Sequence, residues 1–201
     1  MAQNWSYIGA GAVVLGLNAV VPVPAGYAAG DLLVICSNGA LPSTPTGWTA
    51  ISSGAYAYAY YKFAASSESS VTLAGGSAVG VSVMLCYRQI LSADTSAPYA
   101  SYTNTTIGTN TQTTTATDDL VISIFGCSNT SATITAPGST TTRINEASST
   151  YSTGMLIVDE DKAASGATTA RTATFSSTVG SGCISFSFKQ KPKVGSMLLM
   201  F

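Results

Sequence analysis

The chain has 201 residues, of which only 8% are charged: 8 Lys plus Arg against 9 Asp plus Glu, a formal net charge of −1. An average soluble domain carries about a quarter, so the polar surface has to come from the 28 Ser and 27 Thr. No histidine is present, which excludes Ser-His-Asp and Cys-His catalytic centres and imidazole-ligated zinc or haem. The near-zero charge excludes a counterion-releasing nucleic-acid surface.

At 46% hydrophobic residues the chain can bury a sizeable core, and its length suits one domain. Residues 1–17 read as a glycine-rich N-terminal arm. The weakly apolar stretch Ile8 to Val21 is broken by Gly9, Gly11, Gly16 and Asn18. It falls short of the roughly 20 apolar residues a membrane span needs. Met-Ala-Gln-Asn-Trp-Ser offers no Lys or Arg ahead of it, so no export signal is read and synthesis in the cytoplasm is expected.

Residues 18–190 read as a single sandwich domain. Ala19–Pro24 leads into Asp31-Leu-Leu-Val-Ile35. Ala55-Tyr-Ala-Tyr-Ala-Tyr60 alternates small and large, and Val79 to Tyr87 puts Val79, Val81, Val83, Leu85 and Tyr87 on one face. Thr103 to Thr117 holds nine Thr in 15 residues. Thr109, Thr111, Thr113, Thr115 and Thr117 share parity, so a half-exposed strand is expected there, after an irregular crossover from about Leu91. Ile184-Ser-Phe-Ser-Phe188 closes the series. Period 2 throughout, with Gly, Pro, Asn and Ser at the breaks, predicts an all-β protein.

The chain also echoes itself. Asp31–Ile35 answers Asp119–Ser123, and Thr44–Gly47 answers Thr135–Gly138. Tyr61–Ala64 answers Asp161–Ala164, Val71–Leu73 answers Ala173–Phe175, and Tyr87–Gln89 answers Phe188–Gln190. Two similar halves, about 18–90 and 103–190, give about eight strands. The expected fold is an antiparallel, jelly-roll-like β-sandwich.

Cys36, Cys86, Cys127 and Cys183 contain no Cys-x-x-Cys pair and sit in strand-like runs. Buried thiols are expected, with no metal and no cofactor. Asp118-Asp119 and Asp159-Glu-Asp161 are the only acidic clusters. Neither has the flanking residues of a glycosidase pair or a glycine-turned calcium loop, and no catalytic residue is assigned. Tyr56, Tyr58 and Tyr60 share a face with Lys62. That face is either core or an interfacial stripe, for a subunit or for a sugar. Beyond Lys189-Gln-Lys-Pro-Lys193, residues 191–201 read as a docking tail ending in Met197, Leu198, Leu199, Met200 and Phe201.

Gly30-Asp-Leu-Leu-Val34, Gly47-Trp48, Tyr60-Tyr-Lys62 and Tyr87-Arg88 together resemble a family of bacteriophage virion surface proteins. These are jelly-roll modules of capsid decoration (cement), head-fibre or tail-fibre proteins. The resemblance covers roughly residues 20–190 and implies that Trp48 is a core or sheet-capping aromatic. It further implies a non-enzymatic protein on the virion surface, assembled in the host cytoplasm. Its partners would be the major capsid protein and copies of itself, a trimer being favoured. The chain lacks the long shaft of an adhesin, which places capsid cement ahead of a receptor- or glycan-binding fibre module.

Overall fold

Alternation at period 2 builds strands along the whole chain. The computed structural model describes residues 3–39, 43–75, 79–128, 133–150 and 152–193, and every helix or strand element among them is a strand. The first half supplies β1 (Ser6–Ala10), β2 (Val14–Gly16), β3 (Val20–Val21), β4 (Leu32–Ser37), β5 (Thr49–Gly54), β6 (Ala57–Phe63), β7 (Val71–Thr72) and β8 (Gly80–Arg88). They form an antiparallel sheet in the order β1-β8-β4-β6-β5. Strand β2 lies against β8, and β3–β7 is a separate two-stranded ribbon. The second half supplies β9 (Ile90–Ser96), β10 (Ala100–Gly108), β11 (Thr113–Thr114), β12 (Asp119–Ser128), β13 (Ile134–Thr135), β14 (Thr141–Ser148), β15 (Thr153–Lys162), β16 (Gly166–Ala167) and β17 (Thr172–Gln190). Its sheet runs β10-β17-β12-β15-β14, with β9 and β13 also on β17 and β11–β16 as the ribbon.

The two sheets pack as a β-sandwich. The chain passes between them at Gln89, the one residue separating β8 from β9. Each sheet is drawn from one half, a more segregated plan than the interleaved strands of a jelly roll. Leu32, Val34 and Cys36 of β4, with Val81, Val83 and Leu85 of β8, face Leu120, Ile122 and Ile124 of β12 and the Ile184, Phe186 and Phe188 side chains of β17. The other parity of β4, Leu33 and Ile35, is buried as well, under Val21 and Leu73 of the β3–β7 ribbon and its flank. Coverage on both faces is why β4 reads as a continuous apolar run.

The registers establish the internal duplication. Leu32 lies between Tyr87 and Phe63, as Leu120 lies between Phe188 and Asp161. A bulge interrupts the β5–β6 ladder between Ala50 and Ser52 and the β14–β15 ladder between Thr142 and Ile144. Tyr7 faces Tyr87 as Ala93 faces Phe188. Gly11 N donates to Met84 O at 2.9 Å, and Ala97 N to Ser185 O at 2.8 Å. Bulges kept in register are built features of a fold, so the halves share one template. They also face one another like an isologous pair: β8 packs on β15, and their counterparts β17 and β6 pack on each other.

Two of the five sequence matches coincide with this register, Asp31 with Asp119 and Tyr87 with Phe188. The others shift. Tyr61 corresponds to Asp159, because Thr49 pairs with the first as Thr141 pairs with the second. Gly47 corresponds to Ser139, both with positive φ (80° and 63°). Val71 and Thr72 correspond to the β16 ribbon, whereas Ala173–Phe175 lies in the stretch of β17 that pairs with β10 and β13. The expected N-terminal arm is part of the sandwich, since β1 and β2 both pair with β8. The threonine run divides into the edge strand β10 and the ribbon strand β11, and the expected crossover from Leu91 is strand β9. With 19 residues, β17 is long enough to carry two successive edge partners, and it takes both.

Candidate interaction surface

Of the tyrosine stripe, Tyr58 and Tyr60 are 4% and 2% exposed and pack with Leu33, Ile35 and Met84 beneath the β3–β7 ribbon. Tyr58 accepts a hydrogen bond from Ser37 Oγ at 2.9 Å. Burial raises both phenols, Tyr60 to about 12. Tyr56 is half-buried, and its carbonyl oxygen lies so close to Gly126 that no side chain fits there. Tyr58 and Tyr60 therefore present no face to a sugar or a subunit, contrary to the interfacial expectation. Their parity was readable; the second layer covering them was not. Lys62 leaves the strand end, pairs with Glu68 at 2.7 Å and lies 5.7 Å from the Trp48 ring centroid. Met197, Leu198, Leu199, Met200 and Phe201 lie outside the described residues.

The second half repeats this covered layer in polar form. Leu33, Ile35, Met84 and Cys86 are answered by Val121, Ser123, Ser185 and Ser187. Val21 and Ala19 of the ribbon are answered by Thr114 and Gln112, as the matching bonds Leu73 N to Ala19 O and Thr168 N to Gln112 O show. Gln112 Nε2 and Ser123 Oγ both donate to Ser185 Oγ, at 3.2 and 3.1 Å. Where Ile8 forms the bulge of β1, Asp94 stands in β9. Asp94 accepts from Thr115 N at 2.7 Å, from Thr115 Oγ1 at 2.5 Å and from Lys189 Nζ at 3.3 Å. Burial works to raise the Asp94 carboxyl, but these donors outweigh it and hold it below the usual range. Asp119, fully buried beside it, is pushed up to about 7 by burial and by Asp94.

A carboxyl raised in this way keeps its proton in the folded chain after the unfolded chain has released it. Its effect is absent below the unfolded value near 3.8, grows as a loss of stability as pH rises from there to about 7, and is constant beyond. Asp161, raised by burial, acts in the same sense. Asp31, Glu68 and Asp94, all lowered, contribute stability that is lost only as pH falls below the usual carboxylate range. Asp119→Asn is expected to flatten most of the decline between pH 4 and 7 in urea midpoints measured across pH. An unchanged slope would count against this assignment.

Most of the remaining acidic groups are likewise held by partners within the chain. Asp31 accepts from Arg88 Nε and Nη2 at 2.9 and 2.7 Å and from Ala28 N at 2.8 Å. Asp159, 1% exposed, accepts from Arg143 Nε at 2.6 Å and, across the sheets, from Tyr87 OH at 2.8 Å. Arg171 pairs with Glu160. Asp161 accepts from the Trp5 indole at 3.2 Å, so the Asp159–Asp161 cluster is held by the chain itself. Among the described residues no three potential ligands converge as a metal site. All four cysteines are buried thiols outside any disulfide, and burial raises each of them.

The edges on one side of the sandwich are neutral, while Lys191 and Lys193 are exposed beyond β17. Among the described residues strand β10 pairs only with β17, and it forms one edge of its sheet. Ser101 to Thr106 are exposed in unbroken succession, and no charged residue occurs between Asp94 and Asp118. Strand β5, the edge of the other sheet, packs over β17 on the same side and is also uncharged. The opposite edge, β14, carries Arg143 and Glu146. An open edge without charge or proline is a ready template for contact with another chain. The exposed large hydrophobic side chains among the described residues are Leu17, Val20, Phe63, Leu91 and Tyr102. The chain matches no protein-family model, no curated protein and no solved structure.

Proposed function

We propose that the chain is a structural protein of a bacteriophage virion, most specifically a capsid decoration protein. In this role it binds the outer capsid lattice and stabilises it through contacts with the major capsid protein and copies of itself. The observation that carries this reading is the pair of neutral outer edges, with much of the charge paired within the chain. At least five of the eight cationic side chains are paired within the chain, while the outer edges β5 and β10 are neutral. Covering hydroxyl-bearing surface costs far less desolvation than covering ions, and a lattice repeats the small gain of each contact many times.

The test is co-sedimentation of the purified chain with capsids assembled without it. Saturable binding at a fixed stoichiometry, with a raised temperature of capsid disruption, is expected; no binding overturns the reading. Deleting residues 195–201 in the same assay decides whether Met197–Phe201 take part, and unchanged occupancy removes them from the mechanism. A second reading, a glycan-binding module, is favoured by one observation. A groove of about 390 Å³ beside Trp48 is lined by hydroxyls, among them Thr44, Thr46, Ser69 and Thr72. A glycan array that retains no sugar ends it.

A further inference from the structure

The duplicated fold contains one inter-sheet site twice, filled in one copy and open in the other. In the filled copy, Tyr87 of β8 reaches Asp159 of β15. The ring of Tyr7 lies against Tyr87 with centroids 5.4 Å apart, and the Arg143 guanidinium covers the Tyr7 ring at 4.2 Å. Trp5 closes the site, its ring 6.0 Å from that of Tyr87.

Each of these residues has a counterpart fixed by register. Phe188 stands for Tyr87 and Ala93 for Tyr7. Tyr61 stands for Asp159, and Ile51, at the bulge, for Arg143. The pair at the centre is preserved in position but not in chemistry: the Tyr87–Asp159 hydrogen bond is replaced by Tyr61 and Phe188, which meet edge to face with centroids 5.4 Å apart. The covering groups are not preserved. A tyrosine has become alanine and an arginine isoleucine. A cleft of about 200 Å³ lies there, lined by Ile51, Tyr61, Ala93 and Phe188 and rimmed by Thr49 and Ser96.

The lid is missing too. By the same register Leu91 occupies the place of Trp5 and Phe63 that of Asp161. Trp5 is 5% exposed, whereas Leu91 and Phe63 are 53% and 37% exposed. Two of the exposed large hydrophobic side chains thus belong to the uncovered copy of a site that is sealed elsewhere in the same molecule.

We propose that this cleft between β5 and β9 receives a tyrosyl ring presented by another protein chain, in the position that Tyr7 fills in the twin site. The twin supplies the template for the occupant: a phenol ring set against a central aromatic side chain and packed on the core between the sheets. The volume suits such a ring, because an apolar cavity of about 150 Å³ already accepts benzene. The site lies next to β5 and over β17; the one charged group in its lining, the Asp94 carboxylate, is buried and already bonded to Thr115 and Lys189, so a ring can enter without stripping water from an exposed ion. The proposal rests on the structural-protein reading only in taking the donor to be a protein chain.

The probe is p-cresol, the side chain of tyrosine, titrated into the isolated chain and followed by amide shifts in NMR. Saturable binding on the order of 1 mM is expected for a fragment of this size, with shifts centred on Ile51, Tyr61 and Ala93. Ala93→Tyr restores the residue of the filled twin and is expected to weaken p-cresol binding at least tenfold while raising the melting temperature. Ala93→Leu, a smaller filling, is expected to weaken it in the same direction and serves if the tyrosine variant does not fold. Absence of saturable binding, or binding indifferent to both variants, overturns the proposal. Capsid co-sedimentation separates it from the broader reading. Ala93→Tyr binding capsids as well as the parent chain overturns the tyrosyl donor while decoration stands. Loss of capsid binding in Ala93→Tyr alone supports the donor. Cresol binding by a chain that never binds capsids removes decoration and leaves the cleft supported.

Discussion

Arg143→Ala is expected to destabilise the chain by about 3–5 kcal/mol, the range for breaking one member of a buried ion pair. The readout is a lowered urea midpoint with an unchanged slope. Arg143 Nε is 2.6 Å from Asp159 Oδ2, and Asp159 is 1% exposed, so the carboxylate would remain in the core with only the Tyr87 hydroxyl as donor. The substitution also uncovers the Tyr7 ring, over which the guanidinium lies at 4.2 Å. The two effects separate in a second variant. Arg143→Met with Asp159→Leu and Tyr87→Phe removes both charges and the buried hydroxyl that bonds to Asp159, and is expected to recover most of the loss, because an apolar set of similar volume avoids the desolvation. If Arg143→Ala costs less than about 1 kcal/mol, the pair behaves as a surface contact and its structural role is refuted.

Asn38→Ala is expected to cost about 2–4 kcal/mol, from two or more buried polar groups left without partners. Asn38 follows β4 in the first sheet and is 1% exposed. Its Nδ2 donates to Gly154 O at 2.6 Å and to Thr153 Oγ1 at 2.9 Å, both in the second sheet. Its Oδ1 accepts from Val81 N at 2.7 Å, at the start of β8. One side chain thus satisfies backbone groups of both sheets at a place where Gly80 and Gly126 leave no room for a β-carbon. Asn38→Asp is the sharper comparison. It keeps the shape but turns a donor toward the Gly154 carbonyl into an acceptor, so it should cost at least as much as alanine in thermal unfolding at neutral pH.

Strand content was legible because period 2 leaves an imprint wherever one face of a sheet is buried. The doubling was legible at Asp31 with Asp119 and Tyr87 with Phe188, where the central strands retain similar residues. It was obscured at Tyr61, whose counterpart is an aspartate, and at Ile51, whose counterpart is an arginine. Those divergent positions are the ones that set the filled site apart from the open one. A comparison of residues alone discards them as mismatches; only register through the bulges aligns them. The tyrosine stripe shows a different obstacle. Alternation says that Tyr58 and Tyr60 share a face, but burial of that face depends on a two-residue ribbon strand, Val20–Val21, too short to produce any periodic signal. The carboxyl pair of Asp94 and Asp119 is separated by a run of hydroxyl residues and comes together only through the bulge in β9.

The single passage between the sheets at Gln89 has a consequence for how the molecule is made. On the ribosome, the first sheet is complete once β8 has emerged, before the strands of its partner have followed it out. At about 5–20 residues per second, the hundred or so remaining residues take roughly 5–20 s to appear. For that interval the inner face carrying Leu32, Val34, Val83 and Leu85 has no native cover. The nascent chain therefore passes through a half-built stage with one bare apolar wall, open to holdase binding or to aggregation until the second sheet docks.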